Sequence, residues 1–241
     1  MKGVILAGGT GSRLRPMTRV MNKHVIPIYD QPMIFYPVNT LIEAGINEIL
    51  VISNAEHIGK YIELLENEDK NKFDADFSYK VQSEPKGIAH AISLAEPFVE
   101  DEFVVILGDN IILGNVGDNI QPLKEGEAAR IFLRQVSEPS AYGVATINNE
   151  GQVTGLKEKP QNPESNYAVI GLYIFDFNVF NIIAGLEPSD RGEYEVTDIN
   201  QHYLDNGTLG YEKVDGKWYD AGTPEGVFQA SAEVRNQLGN D

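Results

Sequence analysis

A short glycine-rich segment near the start of the chain combines residues that suit phosphate binding. It contains Gly8, Gly9, Gly11, Ser12 and Arg13. Glycines let backbone N–H groups approach phosphate oxygens because no Cβ stands in the way, and an arginine adds bidentate contacts. The spacing matches neither a P-loop, which needs a Lys-Ser/Thr pair, nor the dinucleotide fingerprint, which needs Gly or Ala where Leu14 stands. The segment therefore favours phosphate binding over its alternative, a tight turn without a ligand.

Positive charge is concentrated in the same part of the chain. Residues 1–29 contain five lysines and arginines and no acidic residue, whereas the 241-residue chain has 36 acidic and 19 basic residues and a net charge of −17. The local excess indicates an anion site, and the overall acidity argues against a general nucleic-acid binder or a polybasic membrane anchor. Lys23 lies between the arginines and the apolar residues 25–28, which favours a functional lysine over an exposed one.

Two aspartates are candidates for a metal site. Asp109 follows the apolar run 103–107, and Asp220 lies at the end of a predicted strand, before a glycine. Mg²⁺ prefers oxygen ligands and commonly uses one or two carboxylates together with substrate phosphates. The same aspartates could instead form turns, which their neighbouring residues also favour. Cysteine is absent from the sequence, which excludes disulfides, Cys-based zinc sites and a thiol nucleophile.

The elements that must position these residues alternate between strand and helix over the first 110 residues. Strands are predicted at residues 3–7, 48–53, 77–81 and 103–107, with helices at 34–44, 58–65 and 87–95. This alternation indicates an α/β fold with a Rossmann-like, doubly wound sheet that is mostly parallel. In such a sheet ligands bind beyond the carboxyl ends of the strands, where the glycine-rich segment and Asp109 lie.

The remaining residues predict a strand-rich second lobe of the same domain. Strands are expected at 130–135, 142–147, 153–157, 167–174, 209–214 and 217–220, and helices at 179–183, 196–206 and 224–238. The sequence has neither a signal-peptide core nor a run of 18 apolar residues, so we expect a soluble, cytoplasmic protein.

Motifs along nearly the whole chain resemble the sugar-1-phosphate nucleotidyltransferases, and most closely the glucose-1-phosphate thymidylyltransferases. They are LAGGTGSRLRPMT, NKHVIPIYDQPMIFYPVNTLIEAGI, VQSEPKGIAHAI, VVILGDNI, YGVATI, EKP, YAVIGLY, RGEYEVTDIN and WYDAGTP, in the family's order. The resemblance implies the nucleotide-diphospho-sugar transferase fold in one domain over residues 1–241. Its nucleotide-binding half would cover about residues 1–110 and its sugar-binding half about residues 111–241.

The resemblance also implies a reaction. Such an enzyme transfers a thymidylyl group from dTTP to α-D-glucose 1-phosphate with Mg²⁺, giving dTDP-glucose and pyrophosphate. It would act as a homo-oligomer, a dimer or tetramer, without a nucleic-acid or membrane partner. Two alternatives stay open: a UTP-dependent uridylyltransferase, and a non-catalytic regulatory protein that binds nucleotide sugars.

Site residues carry over from the family position by position. The resemblance places the triphosphate on Gly8, Gly9, Gly11, Ser12 and Arg13, the base on Gln82 and Gly87, and the metal on Asp109 and Asp220. Arg13, Lys23, Asp109 and Asp220 would be catalytic. The sugar phosphate would be bound by Asn110, Tyr142, Gly143, Glu158, Lys159, Val169, Gly171 and Arg191. A Gln amide suits the imide edge of thymine or uracil because it donates and accepts at once.

Several positions depart from the family pattern. His24 stands where thymidylyltransferases usually have Gln, Ser12 replaces the more common Thr, and Arg15 occupies an often aromatic or aliphatic position. These departures leave the reaction type unchanged and bear on nucleotide preference. The sequence resembles the short form of these enzymes, so we expect it to lack their regulatory nucleotide site.

Overall fold

The computed structural model describes residues 1–67, 72–114 and 116–239. A nine-stranded mixed sheet forms the centre of the molecule. The strands, including four outside this sheet, are β1 (Lys2–Leu6), β2 (Pro27–Ile28), β3 (Gln31–Pro32), β4 (Glu48–Ser53), β5 (Asp76–Val81), β6 (Phe103–Leu107), β7 (Asn110–Leu113), β8 (Ala129–Gln135), β9 (Gly143–Ile147), β10 (Val153–Glu158), β11 (Tyr167–Phe175), β12 (Leu209–Lys213) and β13 (Lys217–Asp220). The helices are α1 (Phe35–Glu43), α2 (Ile58–Ile62), α3 (Ile88–Ser93), α4 (Val179–Ala184), α5 (Val196–Asp205) and α6 (Pro224–Leu238).

The first half of the sheet is parallel and covered on both faces. β5, β4, β1 and β6 lie side by side in that order. In β1, Val4 and Leu6 belong to the core that packs against α3, α4 and α5, whereas Ile5 belongs to the core under α1 and α2. Apolar residues at both alternating positions of a strand are typical of a parallel sheet between helices.

The second half of the sheet is mainly antiparallel. β11 pairs antiparallel with β6, β8 and β9, and β9 and β10 form a hairpin, whereas β12 runs parallel to β8. The predicted α/β class, with a mixed sheet and a strand-rich second lobe, is confirmed. No helix that the described residues form is long and apolar enough to cross a bilayer.

A small second sheet, which positions the site, differs from the prediction. β7 and β13 pair antiparallel, and Asp220 lies opposite Asn110. The sequence pattern predicts β13 but no strand at residues 110–113, because a four-residue strand whose partner lies about 100 residues away has almost no local signal. Leu14, Ile111 and Val234 belong to one buried cluster that joins this sheet to α6 and to the segment after β1.

Candidate active site

A cavity of about 420 Å³ opens where β1, β5 and β6 end, as expected for an open α/β sheet. Of the predicted site residues, its lining includes Gly8, Gly9, Gly11, Ser12, Arg13, Lys23, Gln82, Gly87, Asp109, Glu158, Lys159 and Arg191. Among the described residues, six predicted ones lie outside this lining: Asn110, Tyr142, Gly143, Val169, Gly171 and Asp220. The structure thus brings most of the predicted residues to one cavity and leaves the others to be located by their contacts.

The glycine-rich segment turns directly after β1 because two of its residues adopt left-handed backbone conformations. Gly9 has a φ of 94° and Gly11 a φ of 58°, values that favour glycine. A Cβ on Gly11 would also lie 2.7 Å from Cγ2 of Thr18. Leu14 is fully buried and anchors the turn, whereas the Arg13 side chain stays 61% exposed. The segment therefore contributes backbone and one guanidinium group to the cavity.

Lys23 and Asp109 form an ion pair inside the cavity. Nζ of Lys23 lies 2.6 Å from Oδ2 of Asp109, and both side chains are largely buried. Burial opposes ionisation of Asp109, but the charge of Lys23 and its hydrogen bond outweigh that effect and lower the pKa of Asp109 to about 2. Asp109 is therefore a carboxylate at neutral pH.

Asp220 faces this pair across Gly222. A Cβ on Gly222 would lie 2.6 Å from Nη2 of Arg13, 2.8 Å from Oδ1 of Asp220 and 3.0 Å from Oδ2 of Asp109. Nη1 of Arg13 lies 3.7 Å from Oδ2 of Asp220, and the N–H of Gly222 donates to Oδ1 of Asp220. Burial and the negative charge of Asp109 both raise the pKa of Asp220. The glycine thus leaves room for two carboxylates that repel each other.

This pair of carboxylates fits a divalent ion that is also held by a substrate. The described residues contain no group of three or more His, Cys, Asp or Glu side chains that could hold a metal. Asp109 and Asp220 could supply two oxygen ligands, with phosphates and water as the others, a coordination that hard divalent cations accept.

A buried polar network, which the sequence analysis did not identify, positions Lys23. Oδ1 of Asn22 accepts hydrogen bonds from the N–H of His24 and from the hydroxyl of Tyr61, both at 2.7 Å. Nδ1 of His24 lies 3.0 Å from the hydroxyl of Tyr61, which also lies 3.1 Å from the carbonyl oxygen of Ala7. Burial, assisted by the charge of Lys23, lowers the pKa of His24 to about 3, so His24 is neutral. The network connects the turn at Lys23 to the residue before the glycine-rich segment.

Gln82 and Gly87 line another part of the cavity. Gln82 follows β5, donates its backbone N–H to the carbonyl of Ser53 and is 7% exposed. Gly87 has a φ of 105°, and a Cβ there would lie 2.5 Å from the carbonyl oxygen of Tyr194. Only a glycine lets the chain pass this close to Tyr194 and begin α3 beside the cavity.

Charged side chains from the second half of the sequence also line the cavity. Oε1 of Glu158 lies 3.0 Å from Nζ of Lys159 and 3.8 Å from Nη2 of Arg191, which also pairs with Glu195 at 2.8 Å. Burial opposes ionisation of Glu158, but hydrogen bonds from Thr197 and Lys159 lower its pKa. The cluster offers two cations and two fixed carboxylates next to one another.

Asn110, Tyr142 and Gly171 form a layer behind Asp109. Oδ1 of Asn110 accepts from the N–H of Gly171 at 2.9 Å and from Nε1 of Trp218 at 2.6 Å, and its Nδ2 donates to Asp109 at 3.3 Å. The ring of Tyr142 packs edge-on against Trp218. The side chain of Asn110 thus holds β7 and β13 together next to the metal-site candidates.

Known proteins are similar to this chain in sequence and in fold. A family model described as nucleotidyl transferase matches residues 2–237. The chain belongs to the nucleotidyl transferase family. A glucose-1-phosphate thymidylyltransferase of Mycolicibacterium smegmatis is 41% identical to this nucleotidyltransferase over 239 residues, which are 98% of this chain and 82% of that protein.

Solved structures of similar proteins have the same fold as this nucleotidyltransferase. A crystal structure assigned to a glucose-1-phosphate thymidylyltransferase of Bacillus anthracis, in complex with sucrose, matches with a TM-score of 0.90 and 43% identity, over 98% of this chain and 95% of that one. A UDP-glucose pyrophosphorylase in complex with UDP-glucose matches with a TM-score of 0.83 and 27% identity, over 98% of each chain.

Two residues of this nucleotidyltransferase site, Thr197 and His24, are not predicted as site residues from the sequence. Gly143 pairs directly with Glu158 across β9 and β10, whereas Thr197, which the sequence did not single out, donates its hydroxyl to Oε2 of Glu158 at 2.6 Å. His24 stands out in the sequence only as a departure from the family pattern. Thr197 lies inside one of the family motifs, yet nothing local distinguishes a threonine that buttresses a carboxylate from one that starts a helix.

Proposed function

We propose that this nucleotidyltransferase transfers a thymidylyl group from dTTP to α-D-glucose 1-phosphate, releasing dTDP-glucose and pyrophosphate. The relatives at about 40% identity that carry the name glucose-1-phosphate thymidylyltransferase support this proposal. The structural observation that carries it is the convergence of Arg13, Lys23, Asp109 and Asp220 at one end of the cavity, around Gly222.

The reaction is a single in-line displacement at the α-phosphorus. A phosphate oxygen of glucose 1-phosphate attacks, the bond to the β-phosphate oxygen breaks, and pyrophosphate leaves. A phosphate monoester is already anionic at neutral pH because its second pKa is near 6, so no protein nucleophile or strong base is needed. Catalysis must come from holding two anions together and neutralising charge in the transition state. Lys23 and Arg13 are the cations placed for this purpose.

Asp109 and Asp220 would hold Mg²⁺. When bound, this ion neutralises phosphate charge that the two cations leave uncompensated. The glycine-rich segment with Ser12 binds the triphosphate, and Gln82 and Gly87 bind the base. Binding of the sugar phosphate is assigned to Glu158, Lys159 and Arg191, with Asn110, Tyr142, Gly143, Val169 and Gly171 behind them.

This assignment also gives roles to the two halves of the chain. About residues 1–110 bind the nucleotide and about residues 111–241 the sugar, within one domain. We propose that the protein works as a cytoplasmic homo-oligomer, a dimer or tetramer. Size-exclusion chromatography with light scattering checks this, and a monomer at catalytic concentration would contradict it.

Pyrophosphate release is the direct test of the proposed reaction. With dTTP, glucose 1-phosphate and Mg²⁺, the wild-type protein should release pyrophosphate. Asp109→Asn should lower kcat/KM at least about a hundredfold, because one charge that acts in the transition state is lost. Asp215→Asn is a matched control, since Asp215 is exposed and lies outside the cavity lining. A wild type that binds nucleotide but releases no pyrophosphate would indicate the non-catalytic alternative.

The similarity to UDP-glucose pyrophosphorylase keeps UTP as a second candidate substrate. Competition between dTTP and UTP at equal concentration decides between the two. We expect dTTP to be consumed faster, because the thymidylyltransferase relatives are about 40% identical and the pyrophosphorylase 27%. A clear preference for UTP would replace the thymidylyl assignment.

A further inference from the structure

His90 lies on α3 between two cavities and contacts a residue of the active site. Nδ1 of His90 is 3.0 Å from Nε2 of Gln82. Gln82 lines the active-site cavity, whereas His90 lines a second cavity of about 400 Å³ on the other side of α3, together with Lys86 and Ser93. His90 therefore touches the base-binding residue from outside the active site.

In this contact the amide nitrogen of Gln82 faces the ring of His90. An amide nitrogen donates and does not accept, so Nδ1 of His90 is the acceptor in this arrangement. Gln82 Oε1 then occupies the other side of the amide, next to the glycine-rich segment, where a Cβ on Gly8 would lie 2.9 Å from it. Turning the amide over would bring Oε1 to Nδ1 and replace this hydrogen bond with one that the ring can make only as its other tautomer.

We propose that His90 is a positioning residue for base selection: by holding Nε2 of Gln82, it keeps a hydrogen-bond acceptor turned toward the base. This inference rests on the proposed function. Thymine and uracil have an N–H donor at N3, which Oε1 of Gln82 can accept. Cytosine has a lone pair at that atom and would meet a second acceptor. A site built around one hydrogen-bond direction rejects a ligand that leaves its buried group unpaired.

Nucleotide binding by variants of residue 90 tests this role. The experiment is to measure the dissociation constants of dTTP and dCTP by calorimetry, without the sugar phosphate, and to compare them. His90→Leu keeps a similar volume but has no acceptor, so the preference of the wild type for dTTP over dCTP should shrink about tenfold, the value of one hydrogen bond. His90→Asn places an amide oxygen near the position of Nδ1 and should restore most of the preference.

Two controls separate positioning from simple loss of structure. Ser93→Ala changes a side chain on the same helix that bonds to the carbonyl of His90 and does not contact Gln82, so the preference should stay at the wild-type value. The kcat of His90→Leu at saturating dTTP should remain within about twofold of wild type. A merely structural role would instead weaken both nucleotides equally and lower the thermal midpoint in proportion.

Three outcomes overturn the inference: no preference for dTTP in the wild type, an unchanged preference in His90→Leu, or an Asn variant as defective as the Leu variant. The proposed function is judged separately by pyrophosphate release. A wild type that binds dTTP selectively but releases no pyrophosphate contradicts the proposed reaction, and the binding ratios of the variants still decide the role of His90.

Discussion

Gly222 is the residue at which the candidate catalytic groups meet. Its missing side chain leaves space between Arg13, Asp109 and Asp220, and each of these would lie within 3.0 Å of a Cβ there. Gly222→Ala should therefore push the carboxylates apart and lower kcat/KM by about a hundredfold or more. The protein should stay folded, because the atoms displaced are the ends of side chains. Steady-state kinetics with thermal unfolding checks both expectations.

A glycine elsewhere provides the control for this substitution. Gly59 lies in α2 with an ordinary φ, and a Cβ added to it would have no atom within 4 Å. Gly59→Ala should keep full activity and stabilise the protein by about 0.5 kcal/mol, since alanine is the better helix former. If Gly222→Ala is as active as Gly59→Ala, the carboxylates do not act together at this point.

His24 makes stability depend on pH. Burial lowers its pKa from 6.5 to about 3, so between these values the unfolded chain binds a proton that the folded protein excludes. The stabilising contribution is complete above pH 6.5 and falls as the pH is lowered toward 3. At pH 5 the loss should be about 2 kcal/mol, since one pKa unit corresponds to about 1.4 kcal/mol.

His24→Gln removes this titration, and Gln is the residue usual in the thymidylyltransferases that the sequence resembles. Urea titrations at pH 7 and pH 5 give the free energy of unfolding of both proteins. We expect its fall between the two pH values to be about 2 kcal/mol smaller in the variant than in the wild type. Parallel pH profiles of the two proteins would show that His24 is not held neutral by burial.

The pairing of β7 with β13 is the element that places Asp220 beside Asp109. Trp218 holds it through the 2.6 Å hydrogen bond from Nε1 to Asn110 and through its contact with Tyr142. Trp218→Phe keeps an aromatic ring but removes the donor. We expect it to destabilise the protein by about 1 kcal/mol. It should also lower kcat more than it raises the KM for dTTP, because the carboxylates shift while Gln82 and Gly87, which are assigned to the base, do not.

Tyr219→Phe on the neighbouring position of β13 is the matched control, since Tyr219 belongs to the cluster under α6 rather than to the layer behind Asp109. Its kcat should equal that of wild type. Equal kcat values for Trp218→Phe and wild type would mean that the strand pairing tolerates the loss without moving Asp220.

At the scale of the whole molecule, Arg130 in β8 joins the segment that precedes β8 to the sheet. It is 1% exposed, pairs with Glu127 and donates to the carbonyls of Gln121 and Pro122. Arg130→Met removes these hydrogen bonds and leaves Glu127 without its ion-pair partner, so the free energy of unfolding should fall by about 3 kcal/mol. Activity of the folded fraction should be retained, because Arg130 does not line the cavity. Urea unfolding measures the loss of stability. Steady-state kinetics at urea concentrations below the unfolding transition measure the activity of the folded protein.

Arg134→Met, further along β8, serves for comparison. Arg134 also donates to backbone carbonyls, those of Val214 and Asp215, but it lies near solvent, and the loss should be about 1 kcal/mol. Equal decreases in the free energy of unfolding for the two variants would mean that the burial of Arg130 does not increase its contribution to stability.

Local patterns in the sequence were enough to predict the parallel half of the sheet and the turn of the glycine-rich segment after β1. The runs in β1, β4 and β6 are apolar at consecutive positions, and the glycines after β1 need conformations that few other residues adopt. Positive charge without acids over residues 1–29 likewise predicts an anion site there. These properties depend on neighbours in the chain, so they are visible without a fold.

Tertiary structure alone decided how these residues meet. Asp220 reaches Asp109 through a strand pairing between segments about 100 residues apart, and His90 reaches Gln82 through the packing of α3. The network of Asn22, His24 and Tyr61 likewise joins separate segments of the chain. Hydrogen bonds and ion pairs depend on distances of a few ångströms between side chains, and such distances are set by packing rather than by spacing along the sequence.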